Sequence, residues 1–97
     1  MFELIFTKSA LTDLTYFRKS EQVLIIDNTE KQLVHEPLIE TKNRKPLRPN
    51  DLAKWELKIR KYRVFYDADS EERTVKIKAV GWKKHNTLNI RNREFKL

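Results

Sequence analysis

Cysteine does not occur among the 97 residues of this chain, so thiol catalysis, disulfide cross-links and cysteine-ligated zinc are excluded at once. His35 and His85 are the only imidazoles, too few for a histidine-built metal centre, and neither a metal nor any other cofactor is expected. Glycine occurs once, at Gly81, and proline three times. With 39% hydrophobic residues, these sparse chain breakers describe a folded unit and not a disordered tail. Long apolar runs are also missing. The longest, Val23-Leu24-Ile25-Ile26, is far too short to cross a bilayer. The opening Met1-Phe2-Glu3-Leu4 lacks the basic start of a signal peptide. A soluble cytoplasmic protein with no membrane partner is the expectation. Residues 1–97 fit one domain with a modest core, which buries about 60 to 65% of the unfolded surface and leaves little room for an enclosed cofactor cavity.

Positive charge, by contrast, is abundant and unevenly placed. The formal net charge is +7. Between Lys42 and Arg63 nine Lys/Arg stand against only Asp51 and Glu56, a local excess equal to that of the whole chain. Residues 1–41 are net acidic and residues 64–97 mildly basic. The basic half is therefore the candidate working surface and the acidic half its scaffold, with RNA or an acidic partner peptide as the matching ligand. The plainer reading of the same lysines is solubility and protection of sheet edges.

Phe2, Leu4 and Phe6 alternate with Glu3, Ile5 and Thr7, which predicts a short core strand over residues 2–6 with both faces partly covered. Thr7 or Ser9 caps a helix with Ala10, Leu11, Leu14 and Phe17 or Arg18 at helical spacing. Ser20 then caps a second helix reaching about His35, with Val23, Ile26, Glu30 and Leu33 on one face and an Asp27–Lys31 pair at i,i+4, ended by Pro37. His35 suits the helix C-terminus. Thr41–Asp51, with Pro46, Pro49, Asn43 and Asn50, reads as a basic loop.

Beyond it, Trp55, Leu57 and Ile59 alternate with Lys54, Glu56, Lys58 and Arg60, giving a strand with one apolar and one mainly cationic face. Arg63–Asp67 supplies the next strand after a tight connection near Lys61, residues 67–72 form an acidic turn, and Arg73–Gly81 completes a three-stranded meander. Leu88 and Ile90 suggest a short edge strand, with a helical turn from Arg91 as the alternative. Gly81 stands where a strand ends, for a positive φ, for close backbone approach to a ligand, or for a simple exit turn. The fold class is thus α+β: an N-terminal strand and a two-helix hairpin packed on an antiparallel sheet that ends in a three-stranded meander.

Neighbouring strands bring Lys58, Arg60 and Arg63 together, and Lys83, Lys84 and His85 follow at the end of the third strand. Cleavage of RNA by its own 2′-hydroxyl needs a proton acceptor, cations for the phosphate and a proton donor for the leaving oxygen. Arginine suits the phosphate through its planar fork, lysine as a point charge, and His85 suits proton transfer. Lys45, Arg48, Lys54, Arg60, Lys61, Lys84 and Arg91 complete the set of RNA-contacting candidates. Trp82 and Tyr66 are candidates for base stacking, whereas Trp55, Phe65 and Tyr62 read as core or rim. Asp67, Asp69, Glu71 and Glu72 match no calcium-loop spacing and read as a turn.

The stretch Trp55-Glu56-Leu57-Lys58-Ile59-Arg60-Lys61-Tyr62-Arg63-Val64-Phe65-Tyr66 resembles the RelE/ParE superfamily of toxins from type II toxin–antitoxin modules, nearer the RelE-like branch. Val75 through Lys84 looks like that family's last core strand with its glycine, and Phe6-Thr7-Lys8-Ser9-Ala10 and Lys45-Pro46-Leu47 are similar as well. The resemblance implies a small fold of this kind and neutralisation by a cognate antitoxin in a hetero-oligomer. It also implies ribosome-dependent, metal-independent mRNA cleavage by basic sheet residues. Arg63 matches the arginine that contacts the scissile phosphate, Lys58 a sheet lysine of the proton-transfer and charge-stabilising set, and Lys83 the basic residue after the glycine. Glu56 stands where a second catalytic lysine is expected and Asn89 roughly where a catalytic tyrosine is, departures that give His85 the missing proton transfer or leave the protein weak as a nuclease. The ParE-like branch, which inhibits DNA gyrase, is the competing reading, and Arg60, Arg63, Lys83, Lys84 and His85 favour RNA over it.

Overall fold

Thr7, one of the two cap candidates, opens the first helix: its backbone is extended and its side-chain oxygen accepts the Ala10 N–H at 3.2 Å. In the computed structural model, which describes residues 1–97, strand β1 (Glu3–Phe6) leads into α1 (Lys8–Leu14) and α2 (Lys19–Leu33), and six strands follow. These are β2 (Arg44–Pro46), β3 (Trp55–Ile59), β4 (Tyr62–Asp69), β5 (Thr74–Lys84), β6 (Thr87–Ile90) and β7 (Arg93–Phe95). The sheet runs β2-β3-β4-β5-β6-β7 in antiparallel pairs. β1 is its one parallel member.

The eleven-residue β5 organises the rest. Along one flank β4 pairs with it from Thr74 to Trp82. Its other flank is shared, β1 taking Thr74–Ile77 and β6 taking Trp82–Lys84. Between those two partners the edge of β5 is unfilled, and the Asp13 carboxylate reaches in from α1 to accept the Val80 N–H at 2.9 Å. A side chain thus does there what a neighbouring strand would do.

Several expectations are corrected by this arrangement. β1 is not a doubly covered core strand: Glu3 and Ile5 face solvent and only Leu4 and Phe6 are half-buried. The second helix starts one residue before Ser20, with Arg18 at the cap and its N–H donated to Glu21 Oε1. Its buried stripe is Ile25, Thr29 and Leu33, while Val23 is 52% exposed. Thr29 passes for a polar residue in the sequence, yet its hydroxyl donates to the Ile25 carbonyl one turn back and so enters the core with its polar group satisfied. Asp27 and Lys31 form no ion pair. The basic loop holds the short strand β2, antiparallel to β3. Pro46 is tolerated because β2 is an edge strand with a free side.

The meander also continues past the third strand. β6 and β7 extend it through two-residue turns at His85-Asn86 and Arg91-Asn92, all four with positive φ, so the C-terminal segment is strand and not helix. Such turns match the twist of the flanking strands. With no glycine to spare, asparagine, histidine and arginine adopt the left-handed backbone at these tips.

Core packing separates the two sheet faces. On the helical side Leu57, Ile59, Tyr62, Val64, Tyr66, Val75, Ile77 and Val80 pack with Leu14, Phe17, Ile25 and Leu33. Phe17 meets Tyr62 and Trp82 edge to face, each at 5.6 Å between centroids. A smaller cluster of Ala53, Phe65, Ala79 and Leu88 lies apart from it. It is covered by Leu47, Leu52, Ile90 and Phe95 from the loop and the C-terminal hairpin. Phe65 and Tyr66, adjacent in sequence, are both fully buried because a bulge shifts the β4–β5 register between them.

Candidate functional site

On β3 the residues facing away from the helices are Glu56 and Lys58, since Trp55, Leu57 and Ile59 turn toward the core. Antiparallel pairing sets Lys58 opposite Arg63 on β4, and Arg63 opposite Gly81 on β5. Two residues beyond Gly81, Lys83 projects to the same face. β2 completes the row by placing Lys45 opposite Glu56.

These side chains line one cleft of about 240 Å³. Lys58, Arg63 and Lys83 form one part of its wall, Lys42, Asn43 and Lys45 another, and Glu56 joins them; no lining residue is hydrophobic. The volume suits a phosphodiester with part of its sugar, not an enclosed cofactor.

The guanidinium of Arg63 is fixed by the hairpin that carries it. Its Nη1 donates to the carbonyls of Arg60 at 2.7 Å and Tyr62 at 2.9 Å. Nε and Nη2 make no hydrogen bond within the chain, and Arg63, Lys58 and Lys83 enter no ion pair. Three cations without counter-ions on one concave face favour binding of an anion. Glu56 is the single carboxylate among them. Only 3% exposed, it pairs with the Lys45 ammonium at 3.5 Å and lies opposite the buried ring of Phe65.

The other candidates lie elsewhere. His85 does not line the cleft; it is exposed at the β5–β6 turn with φ of 52°. Lys84 projects from the opposite side of β5 to Lys83, and Arg60 is exposed at the β3–β4 turn. Lys61 turns toward the helices, with its ammonium 4.0 Å from Glu21 and 5.5 Å from the Tyr62 ring centre. Arg48 and Lys54 line a separate depression of the loop before β3.

Arg91, an RNA-contacting candidate, is engaged within the chain. Its Nε donates to buried Asp13 and its Nη2 to the carbonyl and hydroxyl of Ser9. It therefore clamps the β6–β7 turn onto α1. Tyr66 is fully buried and so is not a base-stacking platform. The Tyr66 hydroxyl donates to the Pro37 carbonyl at 2.6 Å inside the core, and burial raises its pKa far above 10.0. Trp82 is held edge-on by Phe17.

Gly81 has no positive φ. A β-carbon there would stand 2.4 Å from the Asn89 carbonyl oxygen and 2.9 Å from Ile90 Cγ1. The glycine lets β6 close on β5 next to the cleft. Asn89 belongs to that strand, pairs with Trp82, and bonds through its amide to the Thr87 carbonyl at 3.2 Å.

Sequence reasoning missed Asp13 and the full burial of Glu56. Asp13 sits at i+3 from Ala10 and one residue before Leu14, on the buried face of α1. A carboxylate at such a position signals a polar group with an internal partner. The alternation around Glu56 also marked it as a cleft-face residue, but its depth depends on β2, which the sequence did not reveal.

Helices on one face of the sheet and a cationic cleft on the other define a small α+β protein. No protein-family model matches the chain, and no curated protein matches it by sequence. Solved structures do. A chain of the toxin–antitoxin complex RelBE2 from Mycobacterium tuberculosis matches with a TM-score of 0.73 and 27% identity, over 84% of this chain and 98% of that one. A chain of the archaeal RelE–RelB complex from Pyrococcus horikoshii matches in fold, with a TM-score of 0.68 and 16% identity over 87% of this chain and 97% of that one. The fold and these likenesses support placing the chain in the RelE-like toxin superfamily.

Proposed function

We propose that this chain is the toxin of a type II toxin–antitoxin pair and acts as a metal-independent endoribonuclease that cuts mRNA on the ribosome. The observation that carries the reading is the convergence of Arg63, Lys58 and Lys83 on one apolar-free cleft with their charges uncompensated. In this reading Arg63 grips the scissile phosphate through its free Nε and Nη2, while Lys58 and Lys83 offset the charge that builds on the pentacoordinate phosphorus. The lining holds one carboxylate, a poor donor set for a hard divalent cation, so the lysines and arginine supply the charge stabilisation themselves.

Lys45 and Lys42 extend the cleft along the RNA backbone. His85, Lys84 and Arg60 stand on neighbouring turns as contacts to the flanking strand or to the ribosome, and Arg48 and Lys54 lie further out. His85 in this reading steers RNA, which replaces the proton-transfer role expected of it. A cognate antitoxin, forming a hetero-oligomer with the toxin, is the proposed protein partner, in keeping with the complexes from which the structural neighbours come. The ribosome aligns the 2′-hydroxyl for attack, so free RNA is cut poorly.

The test is to incubate purified protein with programmed ribosomes and map cuts in the A site. Wild type cuts, and Arg63→Ala lowers the single-turnover rate about 10²-fold or more at unchanged thermal stability, on the scale of a lost transition-state contact. No cutting by wild type, together with inhibition of DNA gyrase in a supercoiling assay, sinks the ribonuclease reading in favour of a non-nucleolytic toxin.

A further inference from the structure

Glu56 is the one lining residue whose charge opposes the ligand, and its surroundings give it a use. It occupies the floor of the cleft, almost fully buried, two residues along β3 from Lys58. On one side it faces the fully buried Phe65, which supplies no hydrogen bond. On the other lies Lys45 at 3.5 Å, whose side chain is 57% exposed and free to swing aside when a nucleotide enters. No backbone or side-chain hydrogen-bond donor occupies its oxygens; only that one flexible ammonium stands near them. A buried carboxylate kept for structure alone is normally tied to fixed donors, as Asp13 is to Val80 and Arg91.

We propose that Glu56 is the general base of the cleavage, a catalytic residue that takes the proton of the attacking 2′-hydroxyl. The proposal rests on the ribonuclease reading above. As the 2′ oxygen bonds to phosphorus its proton passes to a Glu56 oxygen. The bond from phosphorus to the 5′ oxygen breaks, and that oxygen takes a proton from the Lys83 ammonium. The products are a 2′,3′-cyclic phosphate on one fragment and a 5′-hydroxyl on the other, and the Glu56 and Lys83 protons re-equilibrate with water.

The sheet order suits an in-line displacement. Glu56 on β3 and Lys83 on β5 flank Arg63 on β4, so acceptor and donor strands lie about 10 Å apart with the phosphate-gripping residue between them. The charged groups facing Glu56 are Lys45 from β2, Lys42 before it, Lys58 on its own strand, Arg63 from β4 and Lys83 from β5. All are cations, so the carboxylate is the one proton acceptor of opposite charge beside the held phosphate. The glutamate thus fills the functional gap left where a second lysine was expected.

Single-turnover A-site cleavage as a function of pH tests the assignment, using Glu56→Gln and Lys45→Met beside wild type. Glu56→Gln is expected to bind programmed ribosomes as wild type does and to cut about 10²-fold to 10⁴-fold more slowly, the usual range for a lost general base. It should also lose the acid limb of the pH–rate profile. Cutting within about threefold of wild type, or slow cutting that retains the acid limb, overturns the assignment. Should Glu56→Gln fail to fold, Lys45→Met decides, because it alters an exposed side chain. The acid limb must then move to higher pH, and an unmoved limb overturns the proposal. A wild type that does not cut at all removes the ribonuclease reading and this role with it, whereas a cutting wild type with an indifferent Glu56→Gln removes the role alone.

Discussion

Asp13 carries more of the architecture than any other polar side chain. Its two oxygens serve the unfilled edge of β5 through Val80 N–H and the C-terminal hairpin through Arg91, and the residue is 1% exposed. Asp13→Ala leaves a buried N–H without an acceptor and a guanidinium without its partner. We expect a loss of about 3 to 5 kcal/mol, the scale for breaking a buried pair from one side. Urea titration by circular dichroism checks it, and a loss below about 1 kcal/mol means that water replaces the carboxylate.

A second residue-scale contact joins the sheet to α2. The Tyr62 hydroxyl donates to Glu21 Oε2, and this bond, followed by the Arg18 N–H, holds the Glu21 carboxyl below its ordinary 4.5. Burial and the same bond hold the Tyr62 phenol above 10.0. The depressed Glu21 contributes stability that is present above its unfolded value and lost as pH falls through its folded one. The raised Tyr62 contributes stability that is complete below pH 10 and lost as pH rises through its folded value. Tyr62→Phe should therefore flatten the dependence of melting temperature on pH at both ends, its cost being greatest near neutrality, where both contributions are present. Melting curves at acid, neutral and alkaline pH test this; parallel profiles for wild type and variant contradict it.

At the scale of elements, the β5–β6 contact is the joint on which the cleft depends. Gly81 admits the Asn89 carbonyl where any β-carbon would collide, and two residues further along β5 comes Lys83. Gly81→Ala must push β6 outward or twist β5. Its expected cost is about 1 to 3 kcal/mol, typical of overpacking, accompanied by a fall in cleavage from the displaced Lys83. Differential scanning calorimetry and the ribosome assay together check this, and a variant with wild-type stability shows that β6 yields without strain.

The elements most legible in the sequence were those with strict periodicity. β3 and the middle strands of the meander declared themselves through Trp55-Leu57-Ile59 and Val75-Ile77, and the start of α1 was narrowed to Thr7 or Ser9, of which Thr7 is the cap. Less legible were β2, with Arg44, Lys45 and Pro46 in place of apolar alternation, and the buried stripe of α2, broken by Thr29. In both cases the stabilising partner is distant: β3 supplies the hydrogen bonds of β2, and Arg44 is anchored to the carbonyls of Gln32 and Ile39. Local pattern carries no record of such partners.

At the scale of the molecule, helices pack on one sheet face and the cationic cleft opens on the other, in a chain of net charge +7. Binding to single-stranded RNA should weaken with salt. If about three to four phosphates are contacted, log Kd should rise against log salt with a slope of about 2 to 3. Fluorescence anisotropy with a short labelled RNA measures it. A slope near zero would mean that phosphate does not enter the cleft.

The amino-acid sequence alone determined the class of the fold and the cationic sense of its working face, because alternation and composition are local properties that survive without coordinates, and its resemblance to a known family singled out Arg63, Lys58 and Lys83 as candidates. Tertiary structure decided which cations are free. It withdrew Arg91 into a clamp, turned Lys61 toward the helices and left His85 at a turn, and it buried Glu56 among the cations that remained. The reason is physical: the charge of a side chain is written in its residue type, but whether that charge is spent on a neighbour depends on strand register and on contacts across as many as 82 positions of chain.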